Sequence, residues 1–185
     1  MGRLVSTLVW LESALAVVGF SLLTLRVYLH NLQWSHLLKP TWRDTASGVL
    51  VTAVMLGIAA AGSWASERWT AWAFLKRWMM QVGPLLAQIR PTQIVLLSVI
   101  AGFGEEALFR GVLQPIFGVW LTSLLFATVH VLRWDSDGVK MIAFYMPFGL
   151  LLGWLYLLTQ NLWGCMVAHT LYDLIALWWI QRSLR

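Results

Sequence analysis

Charged residues are scarce in this sequence: they occupy 11% of its 185 positions, whereas hydrophobic residues occupy 59%. Soluble domains carry about 25% charged residues. So few charges cannot shield so much apolar surface from water. The composition therefore excludes an ordinary soluble protein and favours an integral membrane protein.

Cysteine is almost absent, because Cys165 is the only one in the chain. A single thiol cannot form an intrachain disulfide, and a zinc site built on cysteines is excluded. Cys165 lies in an apolar segment, where a free cysteine usually acts as a small buried hydrophobic residue. We expect that structural role for it.

The charge balance is basic, with a formal net charge of +5. The basic residues lie between and beside the apolar stretches, as at Arg26, Lys39, Arg43, Lys76 and Arg77. That distribution is typical of contact with anionic headgroups and of residues that set membrane topology. We therefore expect a lipid bilayer, and no nucleic acid, as the partner of these charges.

Long apolar runs are plentiful, and each is a candidate for a helix of about 20 residues that crosses the bilayer. They occupy positions 4–28, 45–64, 91–114, 120–132, 140–158 and 162–180. The segment 69–90 contains basic residues and an internal Pro84, which favours an interfacial or kinked helix. The sequence predicts an all-α membrane bundle of six to seven helices, one of them interfacial, in a single domain over 1–185.

Carboxylates within apolar spans are costly and are therefore candidates for function. Glu105, Glu106 and Arg110 lie within one predicted helix. Glu106 and Arg110 are four positions apart, so they share a face and can form an ion pair. Glu105 points about 100° away from Glu106 and can face a different partner.

Two histidines follow on later helices. His130 ends the segment that contains Phe126, and His169 shares a helix face with Asp173, four positions further on. A carboxylate and a histidine that share a water molecule can deprotonate it for attack on a carbonyl carbon. Hydrogen-bond donors on the opposite side would stabilise the resulting oxyanion.

Three motifs occur in order: Glu-Glu-x-x-x-Arg at 105–110, Phe-x-x-x-His at 126–130 and His-x-x-x-Asp at 169–173. In this order the sequence resembles the CAAX protease and bacteriocin-processing family (CPBP, or Abi) of intramembrane endopeptidases. The resemblance covers about 104–173, with a family-like core at about 91–181. The first 90 residues resemble the family only in consisting of membrane helices.

The resemblance implies a role for each motif residue. Glu105 and His130 would activate the water molecule, and His169 and Asp173 would line the oxyanion side. Supporting positions would fall to three residues: Glu106, Arg110 and Phe126. Asp173 departs from the amide variant of the motif, because an ionised aspartate only accepts hydrogen bonds. It is therefore either protonated or serves to orient His169.

Two further features leave alternatives open. Glu105, His130 and His169 could together bind a divalent metal such as zinc, but the His-Glu-x-x-His pattern is absent, so we expect no cofactor. Glu12 is the only acidic residue within the first span. We expect a structural role for it, by snorkelling or by pairing with a residue such as Arg110; lining the pocket is the alternative.

Three classes of function remain. The first is an intramembrane endopeptidase that cleaves a membrane-associated protein or peptide, in a bacterial cytoplasmic or internal membrane. The second is a non-proteolytic scaffold or assembly partner, built on the same fold, within a larger membrane complex. A proton-coupled transporter is the weakest, because no inverted repeat or pair of broken helices supports it.

Overall fold

The computed structural model describes residues 3–131 and 133–183, and within them it contains helices and no β-strand. Leu132, the last position of the predicted 120–132 segment, lies outside the described residues. The helices are α1 (Arg3–Leu29), α2 (Trp34–Leu37), α3 (Trp42–Arg68), α4 (Ala73–Leu86), α5 (Pro91–Leu108), α6 (Gln114–Val129), α7 (Ser136–Thr159) and α8 (Leu162–Ser183). A 3₁₀ turn (Thr70–Trp72) precedes α4, and a π-helical turn (Phe109–Leu113) joins α5 to α6. The predicted all-α bundle is confirmed, with seven helices besides the four-residue α2.

Four helical stretches among the described residues are long and apolar enough to cross a membrane. They are Ser6–Leu29, Trp42–Arg68, Pro91–Val129 and Ser136–Thr159. Helix α8 is not one of them, because His169, Asp173 and its tryptophans lower its mean hydropathy. The predicted span at 162–180 is therefore helical, but its crossing of the membrane stays a prediction, as does the interfacial position of α4.

Polar side chains fix where several helices begin. The Thr41 hydroxyl accepts a hydrogen bond from the Asp44 amide (3.1 Å) and caps α3. The Asp135 carboxylate accepts from the amides of Asp137 and Gly138, at 3.1 and 3.0 Å, and caps α7. Such caps satisfy amides that have no partner within the helix.

The segment predicted to end at 114, before Pro115 and Gly118, continues as a helix in the structure. Gly118 does break the helix, with φ 74° and ψ 170°, and a second helical segment follows it directly. Pro115 does not end it. The carbonyl of Gly111, which an amide at 115 would bond in a regular α-helix, accepts from Arg26 Nη1 at 2.6 Å. This contact from α1 explains why proline is tolerated there.

Helices α5 and α8 form the centre of the bundle. Helix α5 packs along both α1 and α8, and α8 also packs against α3 and α7. The approach of α1 to α5 is close: a Cβ added at Gly104 would lie 2.6 Å from the Ala16 Cα. Gly149 of α7 is similarly close to Ser123 of α6, where an added Cβ would lie 3.0 Å from backbone and side-chain atoms. These glycines permit the close packing that brings the polar side chains together.

The largest apolar core lies where α7 meets α8. Leu152, Leu162, Cys165 and Met166 are completely buried there. The Cys165 thiol donates to the Leu152 carbonyl at 3.3 Å. The predicted role of Cys165 as a small buried hydrophobic residue is confirmed.

Candidate active site

The ionisable residues of the three motifs lie on helices that meet inside the bundle. Glu105 and Glu106 lie near the end of α5, and Arg110 lies in the π-helical turn that follows. His169 lies in the first half of α8. All four side chains are buried, and those of Glu106 and Arg110 have no exposed surface. A π-helical turn within an α-helix is frequent at functional sites.

Arg110 is the fixed cation of this cluster. Its Nη1 donates to Glu106 Oε1 at 2.8 Å, which is the ion pair predicted from the spacing of the two residues. Its Nη2 donates to the Gly149 carbonyl at 3.0 Å and so ties α7 to the turn after α5. A buried carboxylate needs such compensation, because burial of an unpaired charge is costly.

His169 lies between two carboxylates. Its Nδ1 is 2.8 Å from Glu106 Oε1, and its Nε2 is 3.5 Å from Asp173 Oδ2. Because Arg110 pairs with Glu106 as a carboxylate, Nδ1 carries the hydrogen and donates it. Asp173 is the more exposed neighbour, with 24% of its side-chain surface accessible. The arrangement fixes the orientation of the His169 ring.

Glu105 has a different environment from Glu106. It is buried and makes no side-chain hydrogen bond or ion pair with a described residue, whereas Glu106 bonds Arg110 and His169 through Oε1; the Oε2 atoms of both glutamates are without a partner there. Charge interactions reach it from His169, Glu106 and Arg110. No hydrogen bond or ion pair joins Glu105 to His130 in residues 3–131 and 133–183. Their joint action on a water molecule thus remains a prediction, but both lie within electrostatic range of Asp173.

His130 follows the last residue of α6 and is partly buried. Its Nδ1 donates to the Phe126 carbonyl at 2.7 Å, so the neutral ring has its lone pair on Nε2. The ring is held between Phe126 and Tyr145, with centroids 4.6 and 4.8 Å away. His130 therefore offers a fixed hydrogen-bond acceptor at Nε2.

Phe126 connects the separate parts of the site. The Arg110 guanidinium carbon lies 4.5 Å from its ring centroid, within cation–π range. The His169 ring meets it edge to face at 5.7 Å, and the His130 ring lies beside it. The predicted supporting residue thus contacts both histidines and the arginine.

Helix α1 contributes a residue for which the sequence favoured a structural role. Glu12 has a buried Oε2 without a partner among the described residues. It lies within electrostatic range of Glu105, Asp173 and His169, and it forms no ion pair with Arg110 there. The structure therefore favours the alternative that Glu12 faces the pocket. Its position as the only carboxylate in an apolar span was the available signal.

Tyr145 was missed by the sequence analysis. It lies on α7, with its ring stacked on His130 at an interplanar angle of 30°, and it interacts electrostatically with Asp173 and Glu105. An aromatic residue in an apolar run is typical of packing, so periodicity gave no signal. Only the packing of α7 against α6 and α8 brings Tyr145 to the site.

The alternative of a metal site is not supported by the geometry. In the part of the chain that the structure describes, no three His, Cys, Asp or Glu side chains are placed to hold a metal ion. Glu105, His130 and His169 therefore do not form a ligand set in this arrangement. The expected independence from a cofactor stays a prediction.

An open groove lies beside these residues rather than among them. It has a volume of about 350 Å³ and lies between α3, the 3₁₀ turn that follows it and α7. Gly62, Trp69, Trp72 and Phe144 are among the residues that line it, and the lining includes none of the ionisable groups described above. The groove is thus apolar and lies next to the site, because Phe144, which lines it, directly precedes Tyr145 in the sequence.

The fold and the buried carboxylate–arginine–histidine site define the class: an integral membrane helical bundle with a polar centre suited to hydrolytic chemistry. Residues 87–175 match the family model described as "Type II CAAX prenyl endopeptidase Rce1-like". The predicted resemblance is confirmed for this region, which contains all three motifs. The chain carries an Rce1-like region that begins directly after α4 and ends within α8.

One curated relative is a protein of Bacillus subtilis (strain 168) named "Uncharacterized protein YpbD". It is 42% identical over 84 residues, which cover 44% of this chain and 42% of the relative. This chain therefore aligns with less than half of that protein. No solved structure matches.

Proposed function

We propose that this protein is an intramembrane endopeptidase that hydrolyses a peptide bond of a membrane-associated protein or peptide. The observation that carries the proposal is the contrast between the two adjacent glutamates. Glu106 Oε1 bonds both Arg110 and His169, whereas the buried Glu105 side chain makes no hydrogen bond or ion pair with a described residue. A buried carboxylate that makes no structural bond is a good candidate for a general base.

The reaction uses the groups as follows. Glu105 takes a proton from a water molecule while the water oxygen bonds to the carbonyl carbon and the carbonyl π electrons move to oxygen. When the carbonyl re-forms, the carbon–nitrogen bond breaks, and Glu105 returns the proton to the leaving nitrogen. One water molecule is consumed, and a carboxylic acid and an amine are produced.

The remaining residues hold these groups in place. His130 Nε2 accepts the second hydrogen of the attacking water, because its Nδ1 is already bonded to the Phe126 carbonyl. His169 is oriented by Glu106, which is paired with Arg110. This sequence of proton transfers uses no metal ion.

The location of the site supports a membrane-associated substrate. The site is enclosed by membrane helices, so a substrate must reach it from the bilayer or its surface. The family name refers to CAAX prenyl endopeptidases. For a compact chain with short loops in a bacterial-type membrane, we infer a bacteriocin precursor or another membrane peptide as the substrate.

The test uses membrane vesicles from host cells that lack the protein. Purified wild type and Glu105→Gln are added to the vesicles, and new peptide termini and co-purifying proteins are identified by mass spectrometry. Wild type should generate termini that the variant does not, while Glu105→Gln retains the uncut substrate. Glu67→Gln, at an exposed position at the end of α3, is the matched control and should cleave as wild type does.

The outcome also separates the scaffold alternative. If neither wild type nor Glu105→Gln generates new termini and both retain the same intact membrane complex, the protein is a scaffold and the protease proposal is wrong. Cleavage retained in Glu105→Gln would likewise contradict the assigned base.

A further inference from the structure

The oxyanion side of the site is short of hydrogen-bond donors. Formation of the tetrahedral intermediate is accelerated when donors point at the developing oxyanion. Arg110 is committed to Glu106 and Gly149, and the His169 Nδ1–H is committed to Glu106. An ionised Asp173 only accepts hydrogen bonds. With Asp173 ionised, the motif residues leave at most His169 Nε2 as a donor.

Tyr145 brings a hydroxyl donor to this part of the site. Its hydroxyl lies within electrostatic range of both Glu105 and Asp173, which are on opposite helices α5 and α8. No hydrogen bond to another described residue occupies this hydroxyl. A phenolic hydroxyl can both donate and accept, and tyrosine serves as an oxyanion donor in other enzymes.

The Tyr145 ring is held in a defined position. It stacks on the His130 ring, with 4.8 Å between the ring centroids. Its centroid lies 6.4 Å from that of Trp78 on α4 and 5.8 Å from that of Phe148 on its own helix. The same ring thus contacts one residue assigned to water activation and lies within electrostatic range of Asp173 on the oxyanion side. A donor held this rigidly needs little reorganisation during the reaction.

We propose that Tyr145 is a catalytic residue whose hydroxyl donates a hydrogen bond to the oxyanion, the role that an ionised Asp173 cannot fill. The proposal rests on the proposed function. No proton is transferred in this step: the hydrogen stays on the Tyr145 oxygen, and the carbonyl oxygen carries the electron pair released by the attack of water.

Tyr145→Phe tests the hydroxyl alone, because phenylalanine keeps the ring that stacks on His130. The measurement is the rate at which the wild-type termini appear in the same membrane vesicles. Loss of one oxyanion donor slows the reaction by about 10²–10³-fold. Tyr156→Phe is the matched control: Tyr156 lies buried on the same helix, about three turns beyond Tyr145, and the variant should cleave at the wild-type rate. Tryptophan fluorescence during heating should show that both variants are folded.

A second variant distinguishes a donor from a packing residue. Asp173→Asn introduces an amide N–H at the oxyanion side, so Tyr145→Phe/Asp173→Asn should be faster than Tyr145→Phe alone. A wild-type rate in Tyr145→Phe, or a double variant no faster than Tyr145→Phe, would overturn the proposal while the protease function stands. If wild type itself generates no termini, the proposed function fails and the role of Tyr145 fails with it.

Discussion

Replacing Arg110 with methionine is expected to remove the cation around which the site is organised. Arg110 bonds Glu106 at 2.8 Å and the Gly149 carbonyl at 3.0 Å, and it lies over the Phe126 ring. Methionine retains much of the apolar volume but none of the donors. Glu106 would keep only His169 as a partner, in a position without solvent contact.

The magnitude follows from the complete burial of both side chains. Breaking a buried ion pair by removing one partner costs about 3–5 kcal/mol, because the other charge is left buried and unpaired. For a chain of this length, 1 kcal/mol corresponds to about 2–4 °C in Tm, so we expect Tm to fall by about 6–20 °C. The melting curve of the purified protein in detergent, followed by tryptophan fluorescence, measures this fall.

Two further variants test the reasoning. Glu106→Gln/Arg110→Met removes both charges and should recover much of the lost stability, because an uncharged pair carries no burial penalty of this kind. Arg68→Met breaks an exposed pair with Glu67 at 3.9 Å and should change Tm little. A Tm of Arg110→Met equal to that of wild type, or a double variant no more stable than Arg110→Met, would refute this account of the buried ion pair.

The remaining predictions concern packing and capping. Gly104→Ala should destabilise the protein by about 1–3 kcal/mol, because the new methyl group meets the backbone of Ala16. Gly57→Ala is the control: no atom lies within 4 Å of the added carbon, so this variant should melt no lower than wild type. Asn161 caps α8 by accepting a hydrogen bond from the Trp163 amide at 3.0 Å, and its side-chain amide donates to the Asp44 carboxylate at 2.8 Å. Asn161→Ala removes this cap and should therefore lower Tm by about 1–8 °C. Melting curves check both, and unchanged Tm values would contradict the assigned contacts.

The membrane bundle and the local geometry of the motifs could be predicted from the sequence. Apolar runs of bilayer length predict membrane helices whatever their neighbours, because the bilayer requires every backbone polar group to be bonded within the segment. The Glu106–Arg110 pair follows from helix spacing alone. The matched region 87–175 contains the three motifs on which the resemblance rested.

The tertiary structure decided which of these groups meet. Spacing showed that Glu105 and Glu106 point in different directions but not which of them would reach His169, and the structure assigns that contact to Glu106. Glu12 and Tyr145 reach the site only because α1 lies close against α5 and α7 packs between α6 and α8. Helix periodicity determines the face of one helix, whereas contacts between distant segments depend on how each helix is rotated and how closely it packs. The rotation and packing of each helix depend on the side chains of its neighbours, so they are determined only in the assembled bundle.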